Sequence, residues 1–150
     1  MNAYEVLLDH AYEDGCSVWE MPFTHHDGLI LGDKIGIRRT IDTNAEKADT
    51  LAEELAHHDL TVGNILDQSI TMNRKQEHKA RAKAYDMRIG LERIVDAIDM
   101  GCKDAYEASA YLGVSERFFN EALEYYHEKY GECVEVGDRT LIFDPCIDLV

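Results

Sequence analysis

Positive charge is what this 150-residue chain has least of: 15 Lys and Arg stand against 30 Asp and Glu, a formal net charge of −15. A surface this negative repels a phosphate backbone, which DNA-binding domains meet with clustered cations, so nucleic acid is not an expected partner. Paired cysteines are missing too. Cys16, Cys102, Cys133 and Cys146 are widely separated and form no C-x-x-C, so neither a disulfide framework nor a thiolate zinc site is expected, and reduced thiols in a cytoplasmic protein are. The chain also lacks a long apolar run, and Met1 to His10 carries Glu5 and Asp9 without a basic stretch. No signal peptide, membrane span or membrane partner is therefore expected. No internal repeat or low-complexity linker interrupts it. What is present, 45% hydrophobic and 30% charged residues, suits one soluble domain with a genuine core and a small helical appendage.

The order of elements reads as α+β. An opening helix is expected around Ala3 to Glu13. Alternation in Ser17-Val18-Trp19-Glu20-Met21 and again from Gly28 to Thr40 predicts two or three short antiparallel strands, with Asp27-Gly28 and Gly32-Asp33 as hairpin chemistry. Thr43 and Glu46 form a capping box that starts a helix through Leu51 and Leu55 to about His58, with Gly63 in the loop beyond. Asn73 and Gln76 repeat that signal for a helix running to Ile89. Gly90 interrupts it before Leu91, Ile94, Val95 and Ile98 resume the pattern, and Gly101 ends the second helix. Asp104 to Leu112, a Gly113-Val114-Ser115 turn and Glu116 to Tyr130 make a helical pair, and Cys133 to Asp144 a hairpin turning at Gly137-Asp138. The expected division is a core over 1–100, a helix-turn-helix-like subdomain over 101–131 and a C-terminal hairpin and tail over 132–150.

Chemistry-bearing residues concentrate in Ala52-Glu53-Glu54-Leu55-Ala56-His57-His58. On a helical wheel at about 100° per residue, Glu46, Thr50, Glu53, Glu54, His57 and His58 share one arc, and Ala45, Ala48, Leu51, Ala52, Leu55 and Ala56 the other. The run has the form of the metallopeptidase pattern H-E-x-x-H with a glutamate at its first position. In the intact pattern two ligands four residues apart share a helical face, and the Glu between them polarises a metal-bound water. Here Glu53 stands at the first ligand position, Glu54 at the base position and His57 at the second ligand position. Taken by itself, the run equally suits a solvated helix face on which Glu53 and His57 form an i,i+4 pair worth a few tenths of a kcal/mol.

A second element shifts the balance. In Glu77-His78-Lys79-Ala80-Arg81-Ala82-Lys83-Ala84, the two alanines Ala80 and Ala84 lie near the face of Glu77. A small-residue stripe there would let this helix approach the first and bring Glu77 to the metal as third ligand, though close packing of a helical core accounts for the same alanines. Much of the run of seven cations between Arg74 and Arg93, set against three acids, reads as a solvated helix face. His58 reads as a capping or packing residue, His25-His26 as surface, and His10, His78 and His127 as incidental.

With these residues in view, the chain resembles the ImmA/IrrE family of metallopeptidases, specifically the short members encoded beside repressors in prophages and integrative elements. The resemblance rests on Leu51-Ala52-Glu53-Glu54-Leu55-Ala56-His57-His58, the trailing Thr61-Val62-Gly63-Asn64-Ile65-Leu66, and the segment from Glu77 through Ala80 and Arg81 to Ala84. Tyr111-Leu112-Gly113-Val114-Ser115 extends it less specifically, and it covers most of residues 3–130. It implies a zincin-like fold, a minimal gluzincin with a small N-terminal antiparallel sheet, metal-site helices and the C-terminal helical pair. It also implies zinc held by Glu53, His57 and Glu77, Glu54 as general base, and cleavage of a cognate transcriptional repressor. Glu53 departs from the family's histidine. Two carboxylates and one imidazole leave more negative charge on the metal than two imidazoles and one carboxylate, so its bound water is less acidic and its Lewis acidity weaker. Manganese, or no metal, is the alternative. The leading expectation is thus a zinc-dependent endopeptidase of a mobile element acting on a repressor. The alternative is a catalytically inactive relative that binds a repressor or other regulator as an antirepressor.

The helical pair near the C-terminus has the turn of a helix-turn-helix, which raises DNA binding as a rival. Its charge argues the other way. Between Asp104 and Tyr130, six acids face only Arg117 and Lys129, and a recognition helix carrying Glu116, Glu121 and Glu124 would repel phosphate. The pair is expected to pack or to dock protein, with Phe118, Phe119, Tyr125, Tyr126 and Tyr130 mostly in its core.

Overall fold

The computed structural model of the chain describes residues 1–61, 70–144 and 146–150. Among the described residues it is an α+β arrangement of six helices and two three-stranded sheets. These residues divide into two compact units, Met1–Ala84 and Tyr85–Val150, whereas the sequence suggested a division after residue 100.

In the N-terminal unit, Asn2 opens α1 (Ala3–Glu13) by accepting the Glu5 N–H at 2.9 Å, and the helix buries Tyr4, Leu7 and Ala11. A mixed sheet follows. β1 (Ser17–Met21), β2 (Gly28–Leu31) and β3 (Lys34–Arg38) lie in the order β1-β3-β2. The expected hairpin at Gly32-Asp33 is present, with Leu31 opposite Lys34 and Gly32 at φ +62°, the left-handed first position that suits a tight two-residue turn.

The expectation of a wholly antiparallel sheet is corrected, because β1 pairs parallel with β3. Residues 22–27 cross the end of β3 instead of closing a hairpin with β2. Asp27 and Met21 accept the N–H groups of Arg38 and Arg39 at 2.8 Å, so Asp27-Gly28 enters an edge strand and does not turn a hairpin. Alternation fixes which face a side chain takes and leaves open which strand lies alongside.

Thr43 accepts the Glu46 N–H at 3.1 Å and starts α2 (Asn44–Thr61). Its apolar arc is the buried one: Ala48, Leu51, Ala52, Leu55 and Ala56 are inaccessible to solvent. This arc packs on α1 and on the inner face of β2 and β3, where Ile35 and Ile37 are also buried. Each fully buried Leu or Ile contributes about 1.5–3 kcal/mol relative to an exposed one, so this face holds the helix against the sheet and fixes which side chains point elsewhere. Helix α3 (Ile70–Arg88) begins earlier than the Asn73-Gln76 signal indicated, so Asn73 lies inside the helix. The expected loop at Gly63 lies outside the described residues.

The C-terminal unit follows its sequence signals closely. Gly90 at φ +75° separates α3 from α4 (Leu91–Asp99). α5 (Ala105–Leu112) is capped by Asp104, which accepts the Glu107 N–H at 2.8 Å. α6 (Glu116–Tyr130) is capped by Ser115, which accepts the Phe118 N–H at 3.1 Å. Phe118, Phe119 and Tyr126 are buried, as expected of a core run, while Tyr130 is exposed. β4 (Cys133–Val136) and β5 (Arg139–Ile142) form the expected hairpin, and β6 (Asp148–Leu149) adds an unforeseen third strand against β5.

Two cations of the basic run serve this unit's interior. Arg88 is buried and donates to the Gly113 carbonyl at 2.6 Å, while Arg93 donates to the carbonyls of Arg88 at 2.8 Å and Leu112 at 3.3 Å. They cover carbonyls that helix ends leave without intrahelical donors. All four cysteines are free, and among the described residues no helix is long and apolar enough to cross a membrane.

Candidate functional site

The polar arc of α2 carries Glu53, Glu54, His57 and His58, and α3 carries Glu77 in the same unit. His57 Nε2 lies 3.3 Å from Glu77 Oε1. Two residues separated by twenty positions in sequence are therefore brought together, with His57 mostly covered and Glu77 open to solvent. Ala80 and Ala84, the small-residue stripe of α3, are fully buried. Lys83 adds a second tie to α2, with its Nζ 3.2 Å from Asp59 Oδ2.

Glu54 owes its environment to a glycine. Gly28 sits on the inner face of edge strand β2, in the cross-sheet row Glu20, Ile37, Gly28. A Cβ at Gly28 would stand 2.9 Å from Glu54 Oε1 and 2.8 Å from Thr50 Cγ2, closer than such atoms approach. The missing side chain makes the room that the Glu54 carboxyl occupies. Burial there is the main reason its pKa rises from 4.5 to about 7, and the neighbouring charges of Glu53 and Glu77 push it the same way. Removing water disfavours the ionised form, and like charges disfavour it further. A carboxyl poised near neutrality can both take and return a proton at physiological pH, which is the property general acid–base work requires.

The donors have the right chemistry for a divalent cation, one imidazole among carboxylates. The assembled part is a pair, His57 with Glu77. Among the described residues, no group of three His, Cys, Asp or Glu side chains is arranged to hold a metal ion. Glu53 acts on Glu54 through its charge.

His58 faces away from this group: its Nε2 lies 3.1 Å from Asp33 Oδ1 in the β2–β3 turn, and its buried Nδ1 is 3.7 Å from Asp59 Oδ1. It ties α2 to the sheet, in keeping with a packing role. His25 and His26 are exposed on the connection between β1 and β2.

Gly28 is the functional position that the sequence reading passed over as a turn residue. Its signal was present: a glycine alternating with Ile30 on the buried face of a strand marks a close approach by another group.

No family model and no curated protein matches the chain.

Proposed function

We propose that this protein is a metal-dependent endopeptidase of the zincin-like kind, with zinc as its metal and a transcriptional repressor of a mobile element as its substrate. The observation that carries the proposal is the pairing of His57 with Glu77 at 3.3 Å, together with Glu54 lying against Gly28 of edge strand β2 and raised to about 7 by burial and by the charges of Glu53 and Glu77. The ImmA/IrrE resemblance supports the same assignment. Glu53, His57 and Glu77 would hold the metal, and a bound zinc or manganese would supply Lewis acidity and a more acidic water. The chain's own contribution is distinct. Glu54 holds a proton close to β2, which is an edge strand among the described residues and so of the kind that can pair with an extended peptide. His57 and Glu77 link α2 to α3 at that point.

A second reading is favoured by one specific observation, that no three-donor metal group is assembled among the described residues. On that reading the chain captures the repressor without cutting it.

One experiment separates the two. Purified repressor is incubated with wild-type protein, with Glu54→Gln and with His57→Ala, while bound zinc is measured by elemental analysis. Cleavage that depends on about one zinc per chain and is lost in both variants is the expected result. Stable capture of intact repressor by metal-free protein, unchanged in Glu54→Gln, would establish the binding role and overturn the peptidase assignment.

A further inference from the structure

The C-terminal unit contains a cleft of about 320 Å³ that the reading above does not use. Ile94 and Ala97 of α4, Ala108 of α5, Phe119 and Leu123 of α6, and Ile147 from the tail give it an apolar floor. Elsewhere this unit is filled by large side chains, with Phe118, Tyr126 and Leu141 essentially inaccessible to solvent. The space exists where three of the lining residues, Ala97, Ala105 and Ala108, are small. Its volume lies at the lower end of the roughly 300–1,000 Å³ of small-molecule sites, which combine an apolar lining with a few polar groups.

The polar groups here are of both signs. Lys103, Asp104 and Asp148 complete the lining, and all three are exposed. Asp104 spends one carboxylate oxygen on the Glu107 N–H at 2.8 Å, and Asp148 spends one on the Leu149 N–H at 2.8 Å. Each carboxylate can accept further bonds through its other oxygen. Among the described residues, the Lys103 ammonium has no carboxylate within ion-pair distance.

A purely apolar ligand would leave all three charges unused. A lone carboxylate would face two aspartates, and a lone amine would leave Lys103 without an anion. We infer that this cleft binds a free apolar amino acid in its zwitterionic form. Its side chain lies on the floor between Ala97, Ala108 and Phe119, its ammonium meets Asp104 and Asp148, and its carboxylate meets Lys103. Charge-assisted hydrogen bonds of both signs then fix the backbone end, while apolar burial supplies most of the affinity. The site is independent of the Glu54 chemistry.

Calorimetric titration of the full chain at pH 7 with L-phenylalanine, phenethylamine and 3-phenylpropanoate tests the assignment, with L-leucine, L-isoleucine and L-methionine as further probes of the floor. One amino acid per chain should bind, and each analogue lacking one charge should bind at least about tenfold more weakly, the loss expected when one charge-assisted contact is removed. Lys103→Met should weaken L-phenylalanine about tenfold and leave phenethylamine unchanged. Ala108→Leu should fill the floor and abolish binding, with its thermal midpoint confirming that it folds. If Ala108→Leu does not fold, the exposed Lys103 variant decides. Absence of binding by all four amino acids, phenethylamine binding as tightly as L-phenylalanine, or indifference to Lys103→Met would each overturn the inference.

Discussion

Replacing Glu54 by glutamine should make the N-terminal unit more stable above neutral pH and stabilise it far less in mild acid. The folded protein holds this carboxyl at about 7 against an ordinary 4.5, so between those values the folded state binds more protons than the unfolded one. Stability therefore falls as pH rises through that window, and the cost is fully present above about pH 7. A shift of 2.5 units corresponds to about 3.4 kcal/mol at 1.36 kcal/mol per unit. Because Glu54 is only partly buried, solvent screening reduces this to about 2 kcal/mol. Glutamine matches the protonated form in shape and removes the charge, so Glu54→Gln should equal wild type only well below the ordinary 4.5, exceed it by less than about 1 kcal/mol at about pH 5 and by about 2 kcal/mol at about pH 8. For a chain of this length that is roughly 4–8 °C in thermal midpoint.

The assay is urea unfolding between pH 5 and pH 8 in the presence of a chelator, followed by tryptophan fluorescence. Trp19 is the single tryptophan and lies, exposed, in β1 of the unit that carries Glu54, so the signal reports unfolding of that unit's sheet. Other carboxylates titrate in both proteins and cancel in the difference. The groups set around Glu54 are Glu53, Glu77 and His57, all retained in the variant. A difference between wild type and variant that stays constant from pH 5 to pH 8 would refute the argument that this carboxyl is buried among like charges.

Three further outcomes follow from the same contacts. Gly28→Ala should cost about 1–3 kcal/mol by overpacking and displace the Glu54 carboxyl, so the pH dependence just described should shrink along with the stability. Thr43→Ala removes the acceptor of the Glu46 N–H and should destabilise the N-terminal unit by about 1 kcal/mol in urea, the usual worth of an N-cap. Phe118→Ala empties a fully buried position that stacks edge-on against Tyr85 at 5.2 Å. It should cost about 3–5 kcal/mol, read from the near-ultraviolet circular dichroism of the tyrosine-rich C-terminal unit, with Trp19 fluorescence of the N-terminal unit as the comparison.

How much of this was legible in the sequence depended on the range of the interaction that decided it. Thr43, Asp104 and Ser115 each accept an N–H three residues ahead; such local bonds are legible in sequence, and the one at Thr43 located the start of α2. Gly32 and Gly113 marked turns because their backbones are left-handed. Strand partnership was not legible. The pairing of β1 with β3 is decided by where residues 22–27 cross the sheet, and the alternation of Ser17 to Met21 is equally compatible with either neighbour. The same limit hid β6, a two-residue strand placed by its ladder with β5 and by packing on α4. The roles of Arg88 and Arg93 were hidden for a related reason: a count of cations along a helix carries no information about the distant carbonyls of Leu112 and Gly113 that they reach.

The candidate site shows the same division at closer range. The two-sided wheel of α2 correctly separated Leu51 and Leu55 from Glu54 and His57, because one helix's own periodicity decides it. The meeting of His57 with Glu77 was anticipated only by combining two motifs, since neither residue alone distinguishes a ligand from an ordinary surface ion pair. The state of Glu54 was beyond either motif. Its pKa is set by the space left at Gly28, on a strand sixteen residues before the helix begins, together with charge from Glu53 beside it and Glu77 on another helix. A sequence pattern can nominate a base. Whether that carboxyl is charged at neutral pH is decided by what the opposing strand omits, so the glycine on β2 belongs to the functional description as much as the glutamate does.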